Sequence, residues 1–214
     1  MLMTLSCLYA LGFLSASMAT LEVGPFFAGA SRVIFASIFI LCVALATGVG
    51  LVRGRRLWVM AGIYGVGSMA IPFIILPWTL TYVSNTTAAI YFAVIPIEVL
   101  LLLRIFLRKP VTRRKWIGFM TASAFLVANI LALPVAVAAL PASMPSLGGI
   151  AWILAGGVIS TGIGMIIRGK LIRRESAVYT ATNGYIVPVV TSLLGIAVLG
   201  ESVGLVPVLS LIHI

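Results

Sequence analysis

Residues 65–111 read GVGSMAIPFIILPWTLTYVSNTTAAIYFAVIPIEVLLLLRIFLRKPV, and residues 157–203 read GVISTGIGMIIRGKLIRRESAVYTATNGYIVPVVTSLLGIAVLGESV. The two stretches align without a gap at an offset of 92, and 13 of the 47 pairs are identical. The identities include Ser68/Ser160, Ser84/Ser176, Ala89/Ala181, Pro96/Pro188 and Leu107/Leu199. Each copy is two long apolar stretches joined by a short polar turn. A duplicated pair of hydrophobic helices is a mark of many secondary transporters.

Composition points to lipid as the solvent. Of the 214 residues 62% are apolar and 8% charged, and there are only four acidic residues, all glutamate. A soluble domain carries about a quarter charged residues, so a water-facing shell cannot be built from this inventory. The net charge of +10 is gathered in short basic runs between apolar stretches. That is the distribution of cytoplasmic membrane loops and not of a nucleic-acid interface. Cys7 and Cys42 lie inside apolar stretches and read as small buried residues. His213 has no clustered partner, so neither a metal site nor any other cofactor is expected.

A bilayer-spanning helix needs about 20 apolar residues. The expected spans are 3–21, 26–49, 58–82, 86–107, 116–138, 148–167 and 177–199, an all-α bundle of seven helices, with a further apolar segment starting near Gly204. Gly24-Pro25, residues 48–56, Ser84-Asn85, Lys109-Pro110 and residues 141–145 supply the breaks. Residues 15–19 resemble a signal-peptide cleavage region, but the segment lacks a basic start, and its removal would bring the second helix in from the wrong side.

Basic residues set the orientation. Arg53, Arg55 and Arg56 follow the second helix, Arg108 to Lys115 the fourth, and Arg168, Lys170, Arg173 and Arg174 the sixth. All three clusters fall on one side if the N-terminus is cytoplasmic. The copies begin at the third and the sixth helix, an odd offset of three. Equivalent helices then cross in opposite senses, as an inverted repeat. Lys109 aligns with Glu201, a charge reversal expected of equivalent turns on opposite faces.

Thr87-Ala88-Ala89-Ile90, Pro96, the apolar run to Leu107 and Arg108-Lys109-Pro110-Val111-Thr112 resemble the fourth-helix signature of EamA-type transporters of the drug/metabolite transporter superfamily. Ile159-Ser160-Thr161-Gly162, Pro188, Leu194-Gly195 and Leu199-Gly200-Glu201-Ser202 resemble that family's eighth and ninth helices. Arg32, opening the second helix after Gly24-Pro25, is similar to its early arginine. The resemblance implies two inverted five-helix repeats around a central cavity. It divides this chain into a first repeat over 1–140 and a partial second repeat over 141–214, without the family's sixth and seventh helices and most of its tenth. Leu209-Ser210-Leu211-Ile212-His213-Ile214 is similar to a translated sequencing-adapter tail, so an incomplete or chimeric reading frame is expected.

Glu98 stands out among residues that could carry chemistry. It lies about 12 residues into the fourth helix, roughly 18 Å along a ~33 Å element and so near the midplane. A carboxylate at that depth is costly and marks a cavity or a partner. It reads either as a proton-coupling or amine-binding group, or as a neutral acid bonded to a neighbouring helix. Pro96 and Pro188 occupy matched mid-helix positions, where proline removes a backbone donor and kinks the helix. They read as cavity-forming elements or as packed kinks. Tyr91, Asn183, Tyr185 and Thr180 precede them, and Asn183 aligns with Tyr91. With Asn129 of the fifth helix they form an expected cavity lining, with interhelical hydrogen bonding as the competing use. Trp78 and Tyr82 read as interfacial belt residues, Arg104 as a snorkelling end residue, and Gly62, Gly65, Gly67, Gly157, Thr161 and Gly164 as packing positions.

No GxxxxGK[ST] loop is present for ATP drive. A retinal protein needs a lysine in its last helix, and residues 177–199 contain none. Gly65-Val66-Gly67-Ser68 superficially resembles a serine-protease motif, but no span holds a histidine base, so an enzyme is not expected. The reading is a bacterial inner-membrane, multi-pass secondary transporter, an exporter of small organic metabolites, amino acids or drugs by alternating access, with protons as coupling ion. The alternative is a non-transporting fragment or assembly subunit of such a transporter. Expected partners are the lipid bilayer and a small organic substrate, with homo-oligomers open.

Overall fold

A computed structural model describes residues 1–49, 54–91 and 116–201, and among these the regular structure is entirely helical. The chain folds as α1 (Leu2–Val23), α2 (Pro25–Ala46), α3 (Arg55–Thr79), α4 (Asn85–Tyr91, where the described part ends), α5 (Trp116–Ala138), α6 (Leu147–Arg174) and α7 (Ala177–Leu199). By length and composition α1, α2, α3, α6 and α7 are each able to cross a membrane. In α5 the stretch Ser123–Ala138 is a shorter apolar helix.

Backbone chemistry sets the helix ends. Gly24 has φ 76 and ψ 159, a region open to glycine alone, and Pro25 then takes the first turn of α2, where its missing N–H costs nothing. The chain thereby reverses with no loop. At the other end of α2, Gly48 adopts φ 66, while Val49 N donates to Ala44 O at 2.8 Å and Gly48 N to Leu45 O at 3.2 Å. This Schellman pattern satisfies the last carbonyls.

Two helices change hydrogen-bond register midway. In α3, Val66–Ala70 is π-helical, between α-helical Arg55–Gly65 and Ile71–Thr79. In α6, Ala155–Ile163 is π-helical, between Leu147–Leu154 and Gly164–Arg174. Pro72 accounts for the first: it cannot donate to the Ser68 carbonyl one turn back and its ring crowds that oxygen. A π turn over Ser68 absorbs the mismatch.

The helices pack small residues inward and large ones outward. Ala30, Val33, Ala36, Ile40, Met69, Phe125, Ala128 and Ala132 form the main core of α2, α3 and α5. Ile38, Leu45, Ile63, Val137 and Leu193 point out. In lipid there is no penalty for such an outward face, and small residues let backbones approach. A Cβ at Gly65 would run into the backbone carbonyl of Ala124, and one at Gly157 would come within 2.8 Å of Phe35 Cβ. Gly67 has nothing within 4 Å, so it is not the packing position expected of it. Ser37 Oγ ties α2 to α5, donating to Phe125 O at 2.9 Å and to Val33 O at 2.8 Å.

Helix α6 continues to Arg174, beyond the expected end at 167. Arg168, Lys170, Arg173 and Arg174 therefore belong to its last turns and not to a loop. Arginine and lysine are good helix formers and favour the negative end of the helix dipole.

Candidate functional site: a buried arginine between α1, α2 and α6

Arg32 lies seven residues past Pro25, roughly 10 Å into α2 at 1.5 Å per residue. It thus sits two turns inside the helix and does not open it. Its side chain is 6% exposed. Nε donates to Thr161 Oγ1 at 2.7 Å, one terminal nitrogen to Gly12 O at 3.0 Å, and the other to Ser160 Oγ at 3.3 Å. The guanidinium carbon stands 4.7 Å from the centre of the Phe73 ring. One side chain therefore joins α1, α2, α3 and α6.

The surrounding sequence makes room for it. A Cβ at Gly12 would come within 2.6 Å of a terminal guanidinium nitrogen and would also collide with Ser160 Oγ. Gly156 is similarly hemmed, with Ser15 Oγ at 2.8 Å from where its Cβ would be. Thr161 supports the site from the π-helical stretch of α6. Its hydroxyl donates to Gly156 O, five residues back, at 2.8 Å, while its oxygen receives Arg32 Nε. The threonine hydroxyl reaches the Gly156 carbonyl, and the arginine binds the threonine.

All three oxygen acceptors of Arg32 are neutral. A full positive charge at this depth is expensive, and such groups mark ion or substrate pathways or helix-joining nodes. Tyr9 of α1 lies near Arg32 and Arg168, and its hydroxyl lies 3.8 Å from Met165 Sδ. Chemically the node can attract an anionic group, and it can hold α1, α2 and α6 in one arrangement.

The Gly24 end of the bundle carries two carboxylate clamps. Glu201, just past α7, caps the start of α4. One carboxylate oxygen accepts from Asn85 N at 2.7 Å and Asn85 Nδ2 at 3.1 Å, and the other from Thr86 N at 3.2 Å and Thr86 Oγ1 at 2.9 Å. Partial burial opposes the charge on Glu201, but these four bonds outweigh it and hold the carboxyl below its ordinary range. Asn85 in turn bonds Ser17 of α1, at 2.9 Å for its Nδ2 donor. Glu22, at the end of α1, accepts from Ser146 Oγ at 2.8 Å and Ser146 N at 3.2 Å, where Ser146 caps α6.

The expected pathway residues scatter. Glu98, Pro96 and Arg104 lie outside the described residues. Tyr91 is 72% exposed at the edge of α4. Thr180 and Asn183 are buried, Tyr185 is half-buried, and Thr180 Oγ1 donates to Ser176 O at 2.8 Å. Pro188 is buried inside α7, and its carbonyl accepts from Ser192 Oγ at 2.8 Å. Asn129 Nδ2 donates to Phe125 O at 3.2 Å, while its Oδ1 is buried without a partner, as is Thr191 Oγ1. Helix α5, which carries Asn129, packs mainly on α2 and α3, whereas α7 packs on α1 and α4. Among the described residues no hydrogen bond joins Asn129 to Thr180, Asn183 or Tyr185. Trp78 and Tyr82 are exposed at one helix end, with rings 5.5 Å apart edge to face.

The family model described as the EamA-like transporter family matches residues 1–124. The chain belongs to the EamA-like transporter family. This EamA protein is a multi-pass membrane protein of the drug/metabolite transporter superfamily, and the matched region contains Arg32, Gly12 and the Asn85–Thr86 clamp. No curated protein and no solved structure matches the chain.

The sequence reading missed the Arg32 node. A lone arginine inside the apolar run 25–46 was the available signal, by the same cost argument that singled out Glu98.

Proposed function

We propose that this EamA protein is a secondary transporter that exports small organic metabolites, amino acids or drugs by alternating access, with protons as the coupling ion and Glu98 as the proton site. It is not an enzyme in this reading. The observation that carries it is the buried Arg32. A charge at that depth, bonded across three helices, suits a polar centre whose partners change between two states of the bundle. The π-helical stretch it holds is a backbone irregularity of the kind tolerated in membranes when side chains re-satisfy it.

The orientation proposed is a cytoplasmic N-terminus in a bacterial inner membrane. Supporting it, residues Ile40 to Val49 at the end of α2 lie against Met165 to Arg173 of α6, so the basic turns of α6 adjoin the end of α2 that precedes Arg55 and Arg56 in sequence. The inverted-repeat division at residue 140 belongs to the same proposal.

Counterflow of labelled metabolites in proteoliposomes tests the reading, with a ten-helix relative run alongside. Exchange by this chain that is lost in Arg32→Met supports it. Exchange by the relative alone favours a non-transporting membrane piece, a reading suited by a family match that stops within α5. Glu98→Gln tests proton coupling separately: pH-gradient dependence should disappear while counterflow at equal pH persists.

A further inference from the structure

A cavity of about 340 Å³ opens at the basic end of the bundle, between α2, α5 and α6. Its walls are apolar, from Ile40, Val43 and Ala44 of α2 and Met165 and Ile166 of α6. Lys170 and Arg173 also line it. They are three residues apart on one helix and so share a face. Among the described residues no carboxylate lines it, and Glu175, two residues past Arg173, is exposed. Glu22 and Glu201 are engaged with Ser146 and with Asn85 and Thr86. The Thr47 hydroxyl in the cavity wall donates back into its own helix, to Val43 O at 2.7 Å, so it offers an incoming anion no proton. Beside Ala44, Leu45 is 72% exposed on the outward, lipid-facing side of α2.

We propose that this cavity is a binding site for an anionic phospholipid of the surrounding leaflet, with its phosphate at Lys170 and Arg173 and the start of an acyl chain against Ile40, Val43 and Met165. Both halves of the ligand are needed. A free phosphate would satisfy the cations and leave the apolar walls unfilled. A zwitterionic lipid brings its own cation to a mouth that already holds two. Basic pockets between transmembrane helices at the membrane surface select anionic headgroups for this reason. The site does not depend on the transport reading, because it needs neither substrate nor cycle.

The test uses the full chain purified in neutral detergent, by thermal shift and native mass spectrometry. The probes are short-chain phosphatidylglycerol, phosphatidylcholine of equal chain length, glycerol phosphate and inorganic phosphate. Phosphatidylglycerol at about 100 times its Kd should raise Tm by roughly 5 °C or more and give a one-to-one adduct. Phosphatidylcholine should do neither. Lys170→Gln with Arg173→Gln should lose the shift, and so should Val43→Trp, which fills the cavity and keeps both charges. Arg55→Gln, a charge outside the cavity, should keep it. Equal shifts from inorganic or glycerol phosphate would assign the site to a free anion and overturn the proposal. So would equal binding of phosphatidylcholine, an undiminished shift in both cavity variants, or no shift in the unaltered chain.

Discussion

Replacing Arg32 by lysine should harm this protein more than replacing it by methionine. The guanidinium serves three acceptors that lie on two different helices, Gly12 O on α1 and Ser160 and Thr161 on α6. An ammonium donates from a single atom and cannot reach all three. A lysine would keep the buried charge and lose about two charge-assisted bonds at ~1.5–3 kcal/mol each. Stripping partners from a buried charge costs about 3–5 kcal/mol in well-studied cases. Methionine removes the charge along with its need for partners. Two of the three acceptors left behind keep a partner: Gly12 O also accepts from Ser15 Oγ at 3.1 Å, and the Thr161 hydroxyl still donates to Gly156 O, so only the buried Ser160 hydroxyl loses the bond. Exchanging a buried ionic group for an apolar one of similar volume is often neutral, so Arg32→Met should cost at most about 2 kcal/mol. At about 2–4 °C per kcal/mol for a chain of this size, Tm should fall by roughly 6–20 °C in Arg32→Lys and by at most about 8 °C in Arg32→Met. Thermal unfolding of the detergent-solubilised chain, followed by tryptophan fluorescence, measures both. A lysine variant as stable as the methionine variant would refute the argument that three separated acceptors fix the side chain.

Three other substitutions have outcomes that the geometry sets. Glu201→Gln should destabilise the chain at neutral pH by about 1 kcal/mol, the usual worth of a helix cap. The carboxyl of Glu201 is held below its ordinary value of 4.5, so its contribution is complete above that pH and is lost as pH falls through the lower folded value. The Tm difference between the two proteins should therefore close as pH falls below 4.5, and a gap that stays constant in acid would contradict the clamp. Gly65→Ala should cost about 1–3 kcal/mol, because the new methyl meets the Ala124 carbonyl, whereas Gly67→Ala enters open space and should leave Tm unchanged or slightly raised. Equal effects in chemical or thermal unfolding would sink that contrast. Asn129→Leu removes a buried amide oxygen that has no partner, so stability should hold or rise, and a loss above about 1 kcal/mol would mean that the amide is bonded.

The helical frame was legible because helix ends are chemical. The expected spans 116–138 and 177–199 coincide with α5 and α7, and Gly24-Pro25 breaks the chain where its φ and its missing donor require. The end of α6 was misplaced because basic residues were read as loop, although a helix can carry them out of the membrane at its C-terminus. The π-helical stretches were not legible, since a count of apolar residues carries no hydrogen-bond register. Pro72 was the one local hint. Arg32 was visible as an anomaly, but its partners were not. Ser160 and Thr161 lie 128 and 129 positions away, and nothing in the sequence of α2 points to α6. Thr180, Asn183 and Tyr185 are grouped by their place ahead of Pro188, which puts them on one helix and says nothing of which helix faces them.

At the offset of 92, the π-helical stretch Val66–Ala70 falls on residues 158–162, inside Ala155–Ile163. Gly65 and Gly157 are both seats of close helix contact, and Ser84 and Ser176 both cap a following helix, accepting from Thr87 N at 3.1 Å and Tyr179 N at 3.0 Å. The backbone break thus recurs at one depth while its cause does not: Pro72 in the first copy aligns with Gly164, and the second copy relies on Thr161 bonding five residues back. The residue aligned with Thr161 is Met69, fully buried in the apolar core. One π turn is therefore held by apolar packing and the other by a hydrogen-bonded arginine. Apolar packing can slide at little cost, whereas the Arg32 bonds must be exchanged for others of similar strength. If α3 and α6 shift against α2 during transport, the barrier belongs mainly to the α6 side, and it is set by what replaces Thr161, Ser160 and Gly12 around one guanidinium.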